Sequence, residues 1–244
     1  MSNIHLRFKI VREAFGYSQQ TIADMLSIPQ QNYARYETGA TKKVPYSIVS
    51  RFADKLKVDQ NWIETGKLNK KTSEAIRTIF SEWKNEAENL KENSGVPQEV
   101  FAAIMREQIS PSNDLIKKIE TLTGISEKWI VWGDVDDKDC SELIELRKKA
   151  NVDYNKFAEE IGTSVDLLGS ITNREVSPST ELIQRAVAYL ERKYPGRIKG
   201  EKDTIGSVVQ LKKEIECLQN ERDWLRKQND DLIQIIKSLK KGSQ

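Results

Sequence analysis

The sequence predicts an all-α protein built from three tandem helical domains followed by a C-terminal coiled-coil helix. Apolar residues recur at spacings of three and four, and no segment shows the sustained alternation of a half-buried strand. A pattern of about 67 residues recurs along the chain, and leucines near the C-terminus recur every seven residues. We expect domains at 1–68, 69–137 and 138–197, a linker at 198–206 and a coiled coil at 207–241.

The composition argues against most classes of enzyme. The chain has 244 residues, of which 31% are charged, but it contains one histidine and two cysteines. His5 alone leaves almost nothing for histidine-based catalysis, and the distance between Cys140 and Cys217 argues against a disulfide framework or a zinc cluster. No carboxylate cluster has partners at a useful spacing. We therefore expect no catalytic residue, no metal and no cofactor.

Charge and hydropathy suggest a cytoplasmic protein with one candidate region for an anionic partner. No apolar run approaches the roughly 18 residues of a membrane span, and the N-terminus lacks the apolar core of a signal peptide. Residues 1–66 carry nine Lys/Arg against six Asp/Glu, whereas residues 67–139 carry eleven against fourteen. The net charges of +3 and −3 make the first segment the candidate, although its field is weak.

The repeat is visible when separate segments of the chain are aligned. Equivalent positions lie about 67 residues apart between neighbouring copies, and about twice as far apart between the first copy and the third. The three copies cover roughly 4–66, 74–133 and 140–195, and are called the first, second and third repeats below. The clearest pairs are NWIETG (61–66) with KWIVWG (128–133), SPSNDLIKKIE (110–120) with SPSTELIQRAV (177–187), and REAFGYSQQTIADMLS (12–27) with RKKANVDYNKFAEEIG (147–162).

Two short helices joined by a turn are predicted in the first repeat. Ser18 is a suitable N-cap for a helix that continues through Leu26. Pro29 suits the first position of the next helix, which we expect to reach about Glu37 and to end at Gly39.

The turn between these two helices favours a left-handed backbone. The second and third repeats have Gly95 and Gly162 at this position, where a positive φ is tolerated without steric cost. The first repeat has Ser27 there, a departure that we expect to cost about 1 kcal/mol or less.

The segment REAFGYSQQTIADMLSIPQQNYARYETG (12–39), with the Lys-rich loop after it and the ending FADKLKVDQNWIETG (52–66), resembles the lambda-repressor-like (Xre) helix-turn-helix family. The resemblance covers essentially all of the first repeat, and the other two repeats resemble the same family less strongly. It implies that residues 18–26 form the first helix of the motif and residues 29–36 the recognition helix. It also implies a bacterial or phage origin.

The family resemblance further implies an ion pair between Arg12 and Glu37, which ties the first helix to the end of the recognition helix. The aligned residues of the second repeat, Phe80 and Met105, are both apolar, and such a paired exchange is tolerated. The third repeat has Arg147 opposite Thr172, so we expect Arg147 to find another partner or to be exposed.

The polar residues of this recognition helix suit base readout in the major groove. Glutamine and asparagine can bond adenine bidentately, and arginine can bond guanine in the same way. Backbone N–H groups and an amide at a helix N-terminus can hold a phosphate, as can a basic loop. The predicted DNA-binding residues are Gln19, Gln30, Gln31, Asn32, Arg35, Thr41, Lys42 and Lys43.

The later repeats lose these groups at the aligned positions, where acidic and apolar residues replace the bidentate donors. We expect them to serve packing, spacing or protein contacts. The alternative is a three-domain reader of one long site, in which Lys148, Lys149 and Arg174 hold phosphates. The aligned residues are Gln98, Glu99, Val100 and Ala103 in the second repeat, and Val165, Asp166, Leu167 and Ser170 in the third.

A heptad pattern near the C-terminus predicts a leucine zipper. Leucines occupy every d position, and Asn229 lies at an a position, where it favours a parallel dimer in one register. Ile233 and Ile235 broaden the apolar face, so an assembly of more than two chains is one alternative. A single helix that docks onto the chain's own domains is another. The predicted dimerisation residues are Val208, Leu211, Ile215, Leu218, Leu225, Asn229, Leu232, Ile236 and Leu239.

Together these features predict a sequence-specific, dimeric, repressor-like regulator of transcription. Its partners would be double-stranded DNA, a second copy of the chain and a protein bound through the second and third domains. The alternative is a non-catalytic adaptor or scaffold, in which all three domains bind protein and the coiled coil assembles them.

Overall fold

The computed structural model describes residues 3–194, which form fourteen α-helices and no β-strand. This confirms the predicted all-α fold class. The described residues up to Leu190 belong to one compact unit. The predicted linker (198–206), the coiled coil (207–241) and all nine predicted dimerisation residues lie outside the described residues.

The helices follow the order of the three repeats. In the first repeat they are α1 (Ile4–Ala14), α2 (Gln19–Met25), α3 (Gln30–Thr38), α4 (Tyr46–Leu56) and α5 (Gln60–Thr65). In the second they are α6 (Lys70–Glu82), α7 (Lys84–Asn93), α8 (Gln98–Met105), α9 (Asn113–Thr123) and α10 (Glu127–Trp132). In the third they are α11 (Asp137–Ala150), α12 (Tyr154–Ile161), α13 (Val165–Thr172) and α14 (Thr180–Lys193). Among the described residues, no helix has the length and hydropathy needed to cross a membrane.

The ends of α2 and α3 lie where the sequence predicts them, with one small difference. The side chain of Ser18 accepts a hydrogen bond from the backbone N–H of Thr21, which confirms the N-cap of α2. Gly39 ends α3 with φ +76°, also as predicted. Pro29 is the N-cap of α3 rather than its first residue, because its ψ of 140° is extended rather than helical.

The core of the first repeat is an aromatic cluster under α3. Phe8, Tyr33 and Phe52 are fully buried, and they come from α1, α3 and α4. The rings of Phe8 and Phe52 stack with their centroids 4.2 Å apart. Such packing holds one face of α3 inside the domain and leaves the opposite face at the surface.

The predicted left-handed turn is present in all three repeats. The φ angles are +53° at Ser27, +71° at Gly95 and +67° at Gly162. The first repeat therefore places a side chain where the other two have none.

The variant Ser27→Gly is expected to raise the free energy of unfolding by up to about 1 kcal/mol, because glycine relieves the steric cost of positive φ at this position. Urea unfolding of the intact chain measures the effect. Ser27→Ala is the control and should give no gain, since it keeps the Cβ atom. Equal stabilisation by alanine would contradict this explanation.

The same backbone contacts join the first repeat to the second and the second to the third. Isolated β-bridges pair Val58 with Pro111 and Ile125 with Pro178. The hydrogen bond from Asp59 N to Ser110 O is 2.8 Å long, and the bond from Ser126 N to Ser177 O is 3.0 Å. The bond from Ser112 N to Lys57 O (3.0 Å) has its counterpart in the bond from Ser179 N to Gly124 O (2.7 Å). The two junctions therefore recur with the same period as the sequence repeat.

Candidate nucleic-acid interface

The outer face of α3 carries the four residues predicted to read bases. Gln30, Gln31, Asn32 and Arg35 are all exposed, whereas Tyr33, between them in sequence, is fully buried. Pro29 offers no side-chain acceptor to the first turn of α3. This end of the helix therefore presents polar side chains together with N–H groups that have no side-chain cap.

The basic loop after α3 is open to solvent. Lys42 and Lys43 are exposed, and Thr41 is half-buried with its N–H directed at Arg35 O at 3.4 Å. Val44 is buried and anchors the loop to the domain. The structure thus presents two ammonium groups in the loop directly after α3.

Tyr46 is a surface residue of this region that the sequence analysis does not identify. It is the first residue of α4, directly after the loop, and is 69% exposed. Its signal is an aromatic residue at a helix start where the aligned residues of the other repeats, Asn113 and Thr180, are polar.

Gln19 lies at the start of α2 as predicted, but its side chain has a partner within the protein. Its Nε2 donates to Glu37 Oε2 at 2.8 Å, and the residue is half-buried. The donors that remain toward a phosphate at the start of α2 are therefore backbone N–H groups. The side chain of Ser18 caps only one of them, the N–H of Thr21.

The ion pair implied by the family resemblance is present. Arg12 Nε lies 2.6 Å from Glu37 Oε1, and the Glu37 side chain is only 3% exposed. Arg12 also donates to Tyr17 O at 3.0 Å. The hydrogen bond to Glu37 raises the pKa of Arg12 above its ordinary value. Arg12 and Gln19 together attach the end of α3 to both α1 and α2.

The third repeat replaces this ionic contact with another set of side chains. The guanidinium of Arg147 lies 5.4 Å from the ring centroid of Tyr154, which is the residue aligned with Gln19. The hydroxyl of Tyr154 lies 3.2 Å from Oγ1 of Thr172, the residue aligned with Glu37. Of the two expectations for Arg147, another partner or exposure, the structure shows the first, and the partner is an aromatic ring.

In the second repeat, the helix aligned with α3 has two of its four base-facing positions inside the protein, whereas Gln98 and Glu99 remain exposed. Val100 is fully buried and Ala103 is 4% exposed, at the positions of Asn32 and Arg35. Helix α8 packs against α1 of the first repeat. A helix held in this way cannot present those two positions to a DNA groove.

In the third repeat, the start of the aligned helix α13 is occupied by a carboxylate from the second repeat. Glu86 is 4% exposed, and its Oε1 accepts from Ser164 N at 2.8 Å. Glu86 thus places a carboxylate beside the N-terminus of α13, where its charge disfavours the approach of a phosphate backbone. Arg174 also has protein partners, since it donates to Asp137 Oδ1 at 2.8 Å and to Ser141 Oγ at 3.0 Å.

The loop after the aligned helix is used differently in the later repeats. Segments 109–111 and 176–179 are buried, since they carry the contacts to the preceding repeat. In the first repeat, Pro45 stands where Ser112 and Ser179 donate their backbone N–H across a junction. Proline has no N–H to donate. The two exposed lysines of the first repeat therefore correspond to buried positions in both later repeats.

The two side chains with most potential for catalysis, those of His5 and Cys140, are buried inside the protein. His5 is buried and donates from Nδ1 to Tyr36 O. Cys140 is fully buried, and burial raises the pKa of its thiol, which disfavours the reactive thiolate. Among residues 3–194, no group of three or more His, Cys, Asp or Glu side chains is arranged to hold a metal ion.

Comparison with known proteins bears on the first repeat. Neither a curated protein nor a solved structure matches the chain. The helix-turn-helix family model matches residues 8–63, which span most of α1 and all of α2, α3 and α4. The match therefore indicates a DNA-binding helix-turn-helix domain, of the kind found in transcriptional regulators, at residues 8–63.

Proposed function

We propose that this protein is a sequence-specific, dimeric regulator of transcription with a repressor-like mode of action. Its first domain binds the major groove of double-stranded DNA through α3. The observation that carries the proposal is the exposure of Gln30, Gln31, Asn32 and Arg35 beside an open basic loop, within the segment matched by the helix-turn-helix model.

Each group has a distinct role in this proposal. Gln30, Gln31 and Asn32 bond base edges, with adenine as the preferred base, and Arg35 bonds guanine. Lys42, Lys43 and Thr41 hold the phosphate backbone, together with the backbone N–H groups at Gln19. These phosphate contacts fix the register in which the four base-reading residues enter the groove.

The domain organisation is part of the proposal. We infer three domains of one type, at 1–68, 69–137 and 138–197, and the recurrence of the junction bonds with the period of the repeat supports this division. The second and third domains extend and support the first without reading DNA. The burial of Val100 and the contact between Glu86 and Ser164 support that role.

The heptad leucines support pairing of two chains through residues 207–241, and this part of the proposal rests on the sequence alone. Two DNA-binding domains in one assembly would bind two half-sites, and tethering raises the affinity for the second site through effective concentration.

One observation favours the alternative role of a protein adaptor for the second domain. Trp132, the last residue of α10, is 66% exposed, and Val135 shortly after it in the sequence is 37% exposed. An exposed tryptophan is a common anchor of protein interfaces. These exposed apolar residues are also consistent with a regulator that binds a protein partner in addition to DNA.

Selection of bound sequences from a random DNA duplex pool tests the proposal. The intact protein is expected to enrich one motif, and the double variant Gln31→Ala, Arg35→Ala should lose that enrichment, because each bidentate contact contributes about 1–3 kcal/mol of discrimination. The matched control is Asp166→Ala, Ser170→Ala at the aligned positions of the third repeat, which should select the same motif as the intact protein. No enrichment by the intact protein would overturn the proposal and favour the adaptor.

The variant Lys42→Ala, Lys43→Ala is expected to weaken binding to all DNA sequences by a similar factor. The slope of log affinity against log salt should become shallower by roughly 0.9 for each phosphate that the variant no longer neutralises. Binding titrations at several salt concentrations measure this slope. The control Lys148→Ala, Lys156→Ala removes two exposed charges from the third repeat and should leave the slope unchanged. An equal change of slope in the control would place phosphate contacts outside the first domain.

A further inference from the structure

Arg51 connects α4 to the turn that precedes the recognition helix. Its Nη1 donates to the carbonyl oxygen of Leu26 at 2.7 Å, and its Nε donates to Ser47 O at 3.2 Å within α4. Leu26 is the C-cap of α2 and is 1% exposed. The guanidinium therefore binds the last carbonyl before the turn, held in place by a second bond to its own helix.

The turn held by this bond is short and strained. Only Ser27, Ile28 and Pro29 separate Leu26 from the first residue of α3. Ser27 has φ +53°, which favours glycine rather than serine. A cation at a helix C-terminus stabilises the carbonyls that lack intrahelical partners. Loss of this cation would release a turn whose own backbone disfavours its conformation.

A basic residue recurs at this place in the other two repeats. Arg185, which aligns with Arg51, donates from Nη1 to Gly162 O at 2.9 Å. Lys118 aligns with both, and its ammonium group lies beside Gly95. A basic side chain beside this turn is therefore a recurrent feature of the fold. In the third repeat it binds the turn residue aligned with Ser27, whereas in the first repeat it binds Leu26, which directly precedes the turn into the DNA-reading helix.

We propose that Arg51 is a positioning residue that sets the direction of α3 for base readout. The inference rests on the proposed function. Base contacts depend on the alignment of bidentate groups with base edges, whereas phosphate contacts tolerate small shifts. Loosening the turn therefore lowers specific binding selectively and leaves the phosphate contacts in place.

The experiment compares Arg51→Met, Arg51→Lys and Arg185→Met in the full chain, after circular dichroism has verified native helix content. Affinity is measured for the selected duplex and for a scrambled duplex, each at several salt concentrations. Arg51→Met should lower the ratio of specific to non-specific affinity about tenfold with an unchanged salt slope. Arg51→Lys should restore most of that ratio, since lysine can reach the same carbonyl. Arg185→Met removes the bond from the aligned arginine to Gly162 O in the third repeat and should leave the ratio unchanged.

The outcomes separate this inference from the proposed function. If the intact chain binds selected and scrambled duplexes equally, the proposed function itself fails. If the intact chain is specific and Arg51→Met keeps the full ratio, only the role of Arg51 is overturned. A uniform loss of affinity for both duplexes, with a salt slope reduced by roughly 0.9, would instead identify Arg51 as a phosphate contact. Should Arg51→Met not fold, Arg51→Gln takes its place in each comparison.

Discussion

Replacing Arg12 by phenylalanine is expected to destabilise the protein by about 3–5 kcal/mol, because the buried carboxylate of Glu37 loses its paired cation. The Glu37 side chain is 3% exposed, so little solvent reaches its carboxylate. Gln19 would remain as a donor to the carboxylate, but an amide does not neutralise its charge. DNA binding should weaken with stability, since the pair attaches α3 to α1.

The second repeat suggests a compensating exchange. It has Phe80, Ala87 and Met105 at the positions of Arg12, Gln19 and Glu37, and Ala87 is buried there. The triple variant Arg12→Phe, Gln19→Ala, Glu37→Met is therefore expected to recover most of the lost stability. A buried ion pair replaced as a whole by apolar groups is often neutral in stability, whereas half of one is not.

Urea unfolding of the intact chain measures both variants, and the intermediate substitutions complete a mutant cycle. Strong coupling between the three positions is the predicted result. Additive costs, in which the triple variant is less stable than Arg12→Phe, would contradict the view that these residues act as one unit.

Local sequence signals predict much of the first repeat. Ser18 and Gly39 are identifiable because capping depends on residues adjacent to a helix end. The pairing of Arg12 with Glu37 is predictable only through the family resemblance, because nothing in the local pattern brings two residues on different helices into contact.

Contacts between repeats lie beyond prediction from the sequence. The donation from Ser164 N to Glu86 joins two different repeats, and helical periodicity places Glu86 on a helix without indicating its partner. Val100 is an apolar residue at a position expected to face bases, and only the structure shows that this position is buried. From the sequence alone, the side chain of Gln19 is expected to be free to bind a phosphate. Its bond to Glu37 is not predictable, because it depends on how three helices pack together.

The three repeats therefore present the same helical pattern with different chemistry at equivalent positions. The first has exposed amides and a guanidinium on α3, the second has buried apolar groups on α8, and the third has a helix start held by Glu86. On this account, DNA affinity depends on charge in the first repeat alone.

Single changes of charge at three aligned positions test that claim most directly. Gln31→Glu adds a negative charge to the proposed reading face, whereas Glu99→Gln and Asp166→Asn remove one at the same position of the second and third repeats. Titration of the selected duplex at fixed salt should show roughly a hundredfold weaker binding for Gln31→Glu, because a base contact is removed and the carboxylate repels phosphate. Glu99→Gln and Asp166→Asn should bind as the intact protein does. Tighter binding by either of them, or unchanged binding by Gln31→Glu, would contradict the assignment of DNA readout to the first repeat.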